Sequence, residues 1–185
     1  MGSPYLRESS DDFLLIRLDS LRRKKRRRNF IALILSVVLC VYVLFGLVFG
    51  IGYVSGRSMS PSLLGREILL IWRLDKNYRM NDIIAFKPSG EHGEYIKRVI
   101  GVPGDTVEIS DGIIIINGVQ VSEPLLSGGT YAKQSSVNYP LTLEDDQYFV
   151  LGDNREDSYD SRNYGPVSRQ EILGRAIWVS RTISR

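Results

Sequence analysis

Two residue types that carry much of enzyme chemistry are nearly missing from this chain, which has one cysteine and one histidine among 185 residues. Cys40 lies in a long uncharged stretch, so no internal disulfide can form, and neither a water-facing thiol nucleophile nor a cysteine zinc site is available. Any Ser/His/Asp triad would need His92 as its base. That residue stands in Ser89-Gly90-Glu91-His92-Gly93-Glu94, which has the chemistry of an exposed turn. Internal repeats and low-complexity segments are absent as well.

Charge is missing from Phe30 to Tyr53. As a helix these residues would span about 36 Å against a hydrocarbon core of about 30 Å, which predicts a tilted transmembrane helix over 30–53. A cleaved signal peptide would have a shorter apolar region and a small-x-small exit. Here the exit reads Gly50-Ile51-Gly52-Tyr53-Val54, and an uncleaved anchor is the better reading. Some 130 residues follow, roughly enough for one hydrophobic core.

Basic residues run without interruption from Arg22 to Arg28, directly before the apolar stretch. By the positive-inside rule the N-terminal side is cytoplasmic. Residues 1–29 carry 9 basic and 4 acidic side chains and the rest 15 and 17, so the overall charge of +3 is a topology signal. A near-neutral outer portion gives no support to nucleic-acid binding, and anionic lipid headgroups are the nearer partner for the basic run. Leu14, Leu18 and Leu21 recur at helical spacing. They fit a short interfacial helix or a disordered tail.

Beyond the apolar stretch the pattern is β-rich. Strands are predicted at 68–74, 83–86, 95–100, 106–109, 113–116, 148–151 and 176–179. Asp111-Gly112 and Asn117-Gly118 are dipeptides that tolerate the positive φ of type I′ hairpins. One short helix is expected around 168–172, and the polar stretch 122–141 reads as a long loop.

Four clusters carry the chemistry. The first, Ser55-Gly56-Arg57-Ser58-Met59-Ser60-Pro61-Ser62-Leu63, is a weak signal alone. The second, Asn81-Asp82-Ile83-Ile84-Ala85-Phe86-Lys87, reads as a turn and a strand with no evident chemistry. In the third, Tyr95-Ile96-Lys97-Arg98-Val99-Ile100, two cations sit inside an apolar strand, and because side chains alternate, one of them must face apolar neighbours. The fourth runs from Gly152-Asp153-Asn154-Arg155 through Ser158 to Asp160-Ser161-Arg162 and mixes acids, bases and hydroxyls. Arg155 and Arg162 among the carboxylates, and the lack of a sharp-turn glycine, favour Asp/Arg bracing over a calcium loop.

In order, spacing and wording these four clusters resemble the conserved boxes of the type I signal peptidases, and the resemblance covers residues 30–180. It implies a mostly β fold: an antiparallel β-sheet catalytic domain over 54–185, preceded by one N-terminal transmembrane α-helix at 30–53 and a cytoplasmic tail at 1–29. It implies a membrane-bound serine endopeptidase that removes signal peptides from exported preproteins, cutting after small residues. Ser58 matches the nucleophile, Lys97 the general base, and Ser158 the hydroxyl that holds the lysine amine. Asp153 with Arg98, and Asp160 with Arg162, match bracing ion pairs. Val54, Met59, Leu63, Tyr95 and Ile96 fall where the family lines its substrate pockets. No metal and no cofactor is implied. The partners are signal peptides and the lipid bilayer, with the translocation machinery a candidate.

The chemistry agrees with that assignment. A serine hydroxyl needs a base, and a neutral amine can serve. An ordinary lysine has a pKa of about 10.4, but burial disfavours its charged form, and a shift of two units is worth about 2.7 kcal/mol. Gly56 stands where some relatives carry a serine that completes the oxyanion hole, which leaves the second donor unassigned. The chief alternative is a maturation peptidase dedicated to one secretion or conjugation system. A soluble self-cleaving Ser/Lys repressor would lack the anchor, and a non-catalytic tethered β-domain would lose Ser58, Lys97 and Ser158.

Overall fold

The computed structural model describes residues 5–90, 92–121, 129–133 and 137–181. Its contacts divide the chain into Met1–Leu44 and Phe45–Arg185. Helix α1 spans Tyr5–Val43. No proline or glycine interrupts it, and its leucines, arginines and lysines are good helix formers, so the segment before the apolar stretch is neither a separate interfacial helix nor a disordered tail. One wider π turn, Leu44–Val48, follows.

The predicted span ends five residues too late. Phe49–Tyr53 is not helix but a strand, β1, in which Gly50 and Gly52 alternate with Phe49, Ile51 and Tyr53. Period-two alternation with glycine is poor helix sequence, and these residues pair in register with residues 68–72. From Phe30 to Val48 a helix measures about 28 Å, close to the thickness of a bilayer core of about 30 Å. Among the described residues one helix is long and apolar enough to do so.

After β1 come β2 (Ile68–Trp72), β3 (Ile83–Phe86), β4 (Tyr95–Gly101), β5 (Thr106–Ser110), β6 (Ile113–Ile116), β7 (Val119–Gln120), β8 (Leu141–Thr142) and β9 (Gln147–Leu151). Helix α2 (Ser161–Tyr164), β10 (Val167–Ser168) and β11 (Ile172–Ser180) complete the order. Seven strands form one sheet in the order β1-β2-β11-β3-β4-β9-β10, and four form another, β7-β6-β5-β8, with every pairing antiparallel. Asp111 and Gly112 (φ 50° and 81°), and Asn117 and Gly118 (φ 53° and 79°), make the two tight hairpins. The mostly β, antiparallel class expected from the sequence is what forms.

The helix expected around 168–172 is absent. Glu171 N–H donates to Ser168 O (3.0 Å) and Ser168 N–H to Glu171 Oε2 (2.8 Å), which closes one turn. Ile172 then pairs with Phe86, and the chain enters β11 instead of winding on. Of the stretch predicted as a long loop, 122–128 and 134–136 lie outside the described residues. Thr130 N–H donates to Gly112 O (2.8 Å), and Leu141 already belongs to β8.

Alternation along β4 and β9 builds the core. Val99, Tyr148 and Val150 pack with Ile84, Phe86 and Ile172 on one side, while Ile100, Phe149 and Leu151 pack with Val107, Ile114 and Leu143 on the other. The strand that carries Lys97 is therefore clamped from both faces. A third cluster, with Val54, Met59, Leu63, Leu69 and Ile71, lies under the Ser58 segment.

Candidate active site

Ser58 sits in a turn after β1. Val54 N–H donates to Glu67 O and Arg66 N–H to Val54 O (both 2.9 Å), so the segment is pinned at its start to the chain entering β2. Ser60 N–H donates to Arg57 O (3.0 Å) and Leu63 N–H to Met59 O (2.8 Å), winding the turn tightly around the serine. Met59 and Leu63 are buried beneath it.

Lys97 lies in the middle of β4, opposite Ile84 of β3. It is 3% exposed, and its Nζ is 2.8 Å from Ser58 Oγ, to which it donates. The Tyr95 ring stands beside the amine, its centroid 5.8 Å away. Burial lowers the lysine pKa from its ordinary 10.5 to about 8, while the Asp160 and Asp153 carboxylates push it back up. Both of those carboxylates are engaged by arginines. Arg98 Nε and Nη2 donate to Asp153 Oδ1 and Oδ2 at 2.8 and 2.7 Å, and Arg162 Nε and Nη2 donate to Asp160 Oδ1 and Oδ2 at 2.9 Å each. Bidentate pairing holds the acids by their own guanidinium partners, so the amine is not their counter-ion.

Asn81, whose cluster showed no chemistry in the sequence, has a use here. Its carbonyl accepts from Arg98 Nη1 (3.0 Å), its N–H donates to Val99 O (2.9 Å), and it holds φ 73°, which asparagine tolerates. Ser62 Oγ accepts from Arg98 Nη2 at 3.3 Å. The fourth cluster wraps around α2. Asp160 caps that helix and also accepts from Gly152 N–H (3.1 Å), while Arg155, fully buried, donates to Gly152 O and to Thr130 Oγ1.

Ser158 is buried, and its Oγ has no hydrogen-bond partner among the described residues. The bond to the lysine amine that the resemblance implies is therefore not formed in this structure, in which Lys97 Nζ is directed to Ser58. Both serines press on Gly152: a Cβ there would collide with Ser158 Oγ and stand 2.5 Å from Ser58 O. One contact is a backbone atom of the turn itself and has little freedom to move away. Gly152→Ala is expected to lower kcat/KM by about 100-fold or more, since displacements on the order of 1 Å cost that much. Peptide cleavage by the folded variant checks this.

A cleft of about 350 Å³ opens over the pair. Val54, Met59, Tyr95 and Ile96 line it, whereas Leu63 does not: it is packed underneath, 1% exposed. Tyr53, Arg57, Glu94, Asp157 and Tyr159 also line the cleft and were not anticipated. Tyr159 packs on Tyr164 (5.4 Å between centroids), and Tyr164 on Tyr95 (6.5 Å). No local pattern flags Asp157 and Tyr159, which come from a loop about sixty positions beyond Lys97. His92 is exposed and outside the cleft.

The site sets a serine hydroxyl against a buried lysine amine on a β-scaffold. The family model described as "Signal peptidase, peptidase S26" matches residues 27–180. Signal peptidase I P of Bacillus subtilis subsp. natto is 37% identical over 153 residues, covering 77% of this chain and 82% of that protein. Signal peptidase I of Bacillus amyloliquefaciens is 37% identical over 158 residues, covering 80% and 84%. The crystal structure of a signal peptidase I from Enterococcus faecalis is similar at 35% identity and a TM-score of 0.43, over 54% of this chain and 96% of that one. The chain belongs to the signal peptidase family, peptidase S26. It is a membrane-bound serine endopeptidase that removes N-terminal signal peptides, with its N-terminal side cytoplasmic and its β-domain extracytoplasmic.

Proposed function

We propose that Ser58 is the nucleophile of this peptidase and Lys97 its general base. The observation that carries the reading is the 2.8 Å contact between Lys97 Nζ and Ser58 Oγ at a site whose burial lowers the lysine pKa to about 8. When the amine is neutral the direction of that bond reverses: the hydroxyl donates, gives its proton to Nζ and attacks the peptide carbonyl. Ser58 N–H stabilises the oxyanion that develops. The ammonium then protonates the leaving amine, and a water attacks the acyl-serine with the amine again as base.

Ser158 supports the amine in this reading. A buried hydroxyl left without a partner costs about 1–3 kcal/mol, and hydrogen bonding to the amine during turnover supplies that partner. Ser158→Ala is expected to slow kcat by about 10²-fold, the scale of a positioned proton-transfer contact, without loss of stability, because an unsatisfied group is removed. Thermal unfolding measured beside cleavage rates checks both halves. The two Asp/Arg pairs hold the loop that presents Ser158.

In domain terms the basic tail precedes a span that begins at Phe30 and runs through the π turn, and the catalytic domain starts with β1. On the outer face of the β1 end of the sheet, Ile51, Leu70 and Trp178 stand side by side in register, and Tyr53 stands next to Ile68. Ile51, Tyr53, Ile68 and Trp178 are exposed. Ten residues from Val48 to Ser58 reach at most about 35 Å. Both facts support a site close to the outer leaflet, where a signal peptide anchored in the bilayer presents its C-terminal end as an extended strand. The translocation machinery is the partner that would deliver it.

Small residues are expected at the first and third positions before the cut, because Met59, Tyr95 and Ile96 leave a shallow cleft. Detergent-solubilised protein incubated with several unrelated preproteins, alongside Ser58→Ala, tests the function. Cleavage of all of them after small residues, lost in Ser58→Ala, is the expected result. Cutting of a single precursor would instead indicate the dedicated maturation peptidase, and efficient cutting after large aromatic residues would contradict the pocket assignment.

A further inference from the structure

Asn154 has contacts on both sides of the nucleophile. Its backbone N–H donates to Ser58 O at 3.0 Å, and its side-chain Nδ2 donates to Arg57 O at 3.3 Å. At its other end, Oδ1 accepts from the N–H of Asp157, the residue before Ser158, at 3.4 Å. One amide side chain thus joins the nucleophile's turn to the segment that carries Ser158.

The bond to Arg57 O matters because of peptide planarity. Arg57 C=O and Ser58 N–H belong to the same rigid unit and point in opposite directions, so whatever holds the carbonyl aims the amide. The structure shows two donors on that carbonyl, Ser60 N–H from within the turn and Asn154 Nδ2 from outside it. On the preceding side Gly56 offers little resistance to rotation: it holds φ +92°, and a Cβ there would meet nothing within 4 Å. It also has no side chain to supply an oxyanion donor. Ser58 N–H therefore carries more of the oxyanion stabilisation, and its orientation matters more.

We propose that Asn154 is a positioning residue that aims the Ser58 N–H into the oxyanion site by holding the Arg57–Ser58 peptide from outside the turn. It rests on the reading of Ser58 as nucleophile and extends it to the loop opposite. Asn154 is not among the residues that line the cleft, and its described hydrogen bonds go to Ser58, Arg57 and Asp157, so it acts through the peptide and leaves the base alone. A misaimed oxyanion donor costs up to about the 10²–10³-fold in kcat that its removal costs.

Two variants of the full-length protein in detergent separate this from a merely structural role. Asn154→Ala loses both side-chain contacts. Asn154→Asp is isosteric and keeps an acceptor for Asp157 N–H, but sets a carboxylate oxygen against Arg57 O. If Asn154 served only to close its own loop, the Asp variant would be nearly normal and the Ala variant impaired. Peptide aim predicts the Asp variant to be at least as impaired as the Ala variant.

The probe is a peptide aldehyde of substrate sequence. Ser58 Oγ adds to its carbonyl carbon and passes its proton to Lys97, which leaves an oxyanion in the same site. In both variants kcat should fall about 10- to 100-fold with KM within about 2-fold, and aldehyde affinity should fall in proportion to kcat/KM. The rising limb of the pH profile in Asn154→Ala should stay where it is in the wild type. An Asp variant with wild-type kcat, aldehyde binding unchanged while kcat falls, or a shifted limb in Asn154→Ala would each overturn the proposal. Ser58→Ala, run in parallel, keeps the two readings apart: cleavage surviving in Ser58→Ala would sink the nucleophile assignment itself, whatever Asn154 does.

Discussion

Lys97→Met is expected to abolish cleavage while making the folded protein more stable at neutral pH. The loss of activity follows from the mechanism. Nucleophile and base act as one unit, so removing either costs on the order of 10⁴-fold or more, and Ser58→Ala/Lys97→Met should be no worse than either change alone. The gain in stability follows from the direction of the pKa shift. Burial lowers the lysine from 10.5 to about 8, so below pH 8 the folded protein carries a buried ammonium that the unfolded chain keeps in water. At about 1.36 kcal/mol per unit, that costs about 3 kcal/mol near pH 7. Between about pH 8 and 10.5 the unfolded state binds more protons, stability rises with pH, and the cost disappears.

Methionine removes the charge at similar length, while the lost hydrogen bond to Ser58 takes back about 1 kcal/mol. A net gain of about 1–2 kcal/mol at pH 7, fading above pH 10, is the expectation. Chemical unfolding at pH 7 and 10 measures it. Ser58→Ala should lose the same activity with no such gain. More than a tenth of wild-type activity in folded Lys97→Met would be incompatible with the account.

The second large effect is expected at the Arg98–Asp153 pair. Asp153 is fully buried and is held by both ends of the guanidinium. Replacing Arg98 with leucine strands a buried carboxylate, at about 3–5 kcal/mol. Replacing both members by leucine removes the stranded charge, and such pairs are often neutral to exchange for apolar residues. Arg98→Leu/Asp153→Leu should therefore recover much of the stability lost in Arg98→Leu. Recovery will be incomplete, because Arg98 also donates to Asn81 O and Ser62 Oγ. A double-mutant cycle by chemical unfolding reads the coupling. Its absence would mean that the pair is not a bracing element of the site.

Much of this was legible in the sequence because the signals are local. The β-hairpins announce themselves through Asp111-Gly112 and Asn117-Gly118, and the alternation around Lys97 shows that one cation must face apolar neighbours. Where local signals mislead, tertiary pairing decides. Phe49–Tyr53 is apolar enough to extend a membrane helix, and its weak glycine alternation is decided by the ladder with β2, which makes it a strand. Ser168–Glu171 has a helix start's hydrogen bonds, but the next residue joins β3. The family resemblance places Leu63 in a pocket wall, yet the tight turn after Ser58 carries it beneath. Tyr159 and Asp157 reach the cleft through the fold alone, and so does the clasp made by Asn154. In the same way, the family motif supplies the identity of Ser158 but not the state of its buried hydroxyl, which the fold decides.

The most direct test of the Ser/Lys account is the pH dependence of kcat/KM. It reports the ionisation of the free enzyme's base, and a lysine is separated here from every other candidate. The full-length protein in detergent, cleaving one preprotein peptide from pH 5 to 11, should show activity rising with pH as Lys97 loses its proton, with a limb centred near its lowered pKa of about 8. His92 is exposed and outside the cleft, so on this account His92→Ala should give the same curve. A limb near 6.5, the ordinary histidine value, that disappears in His92→Ala would contradict the account.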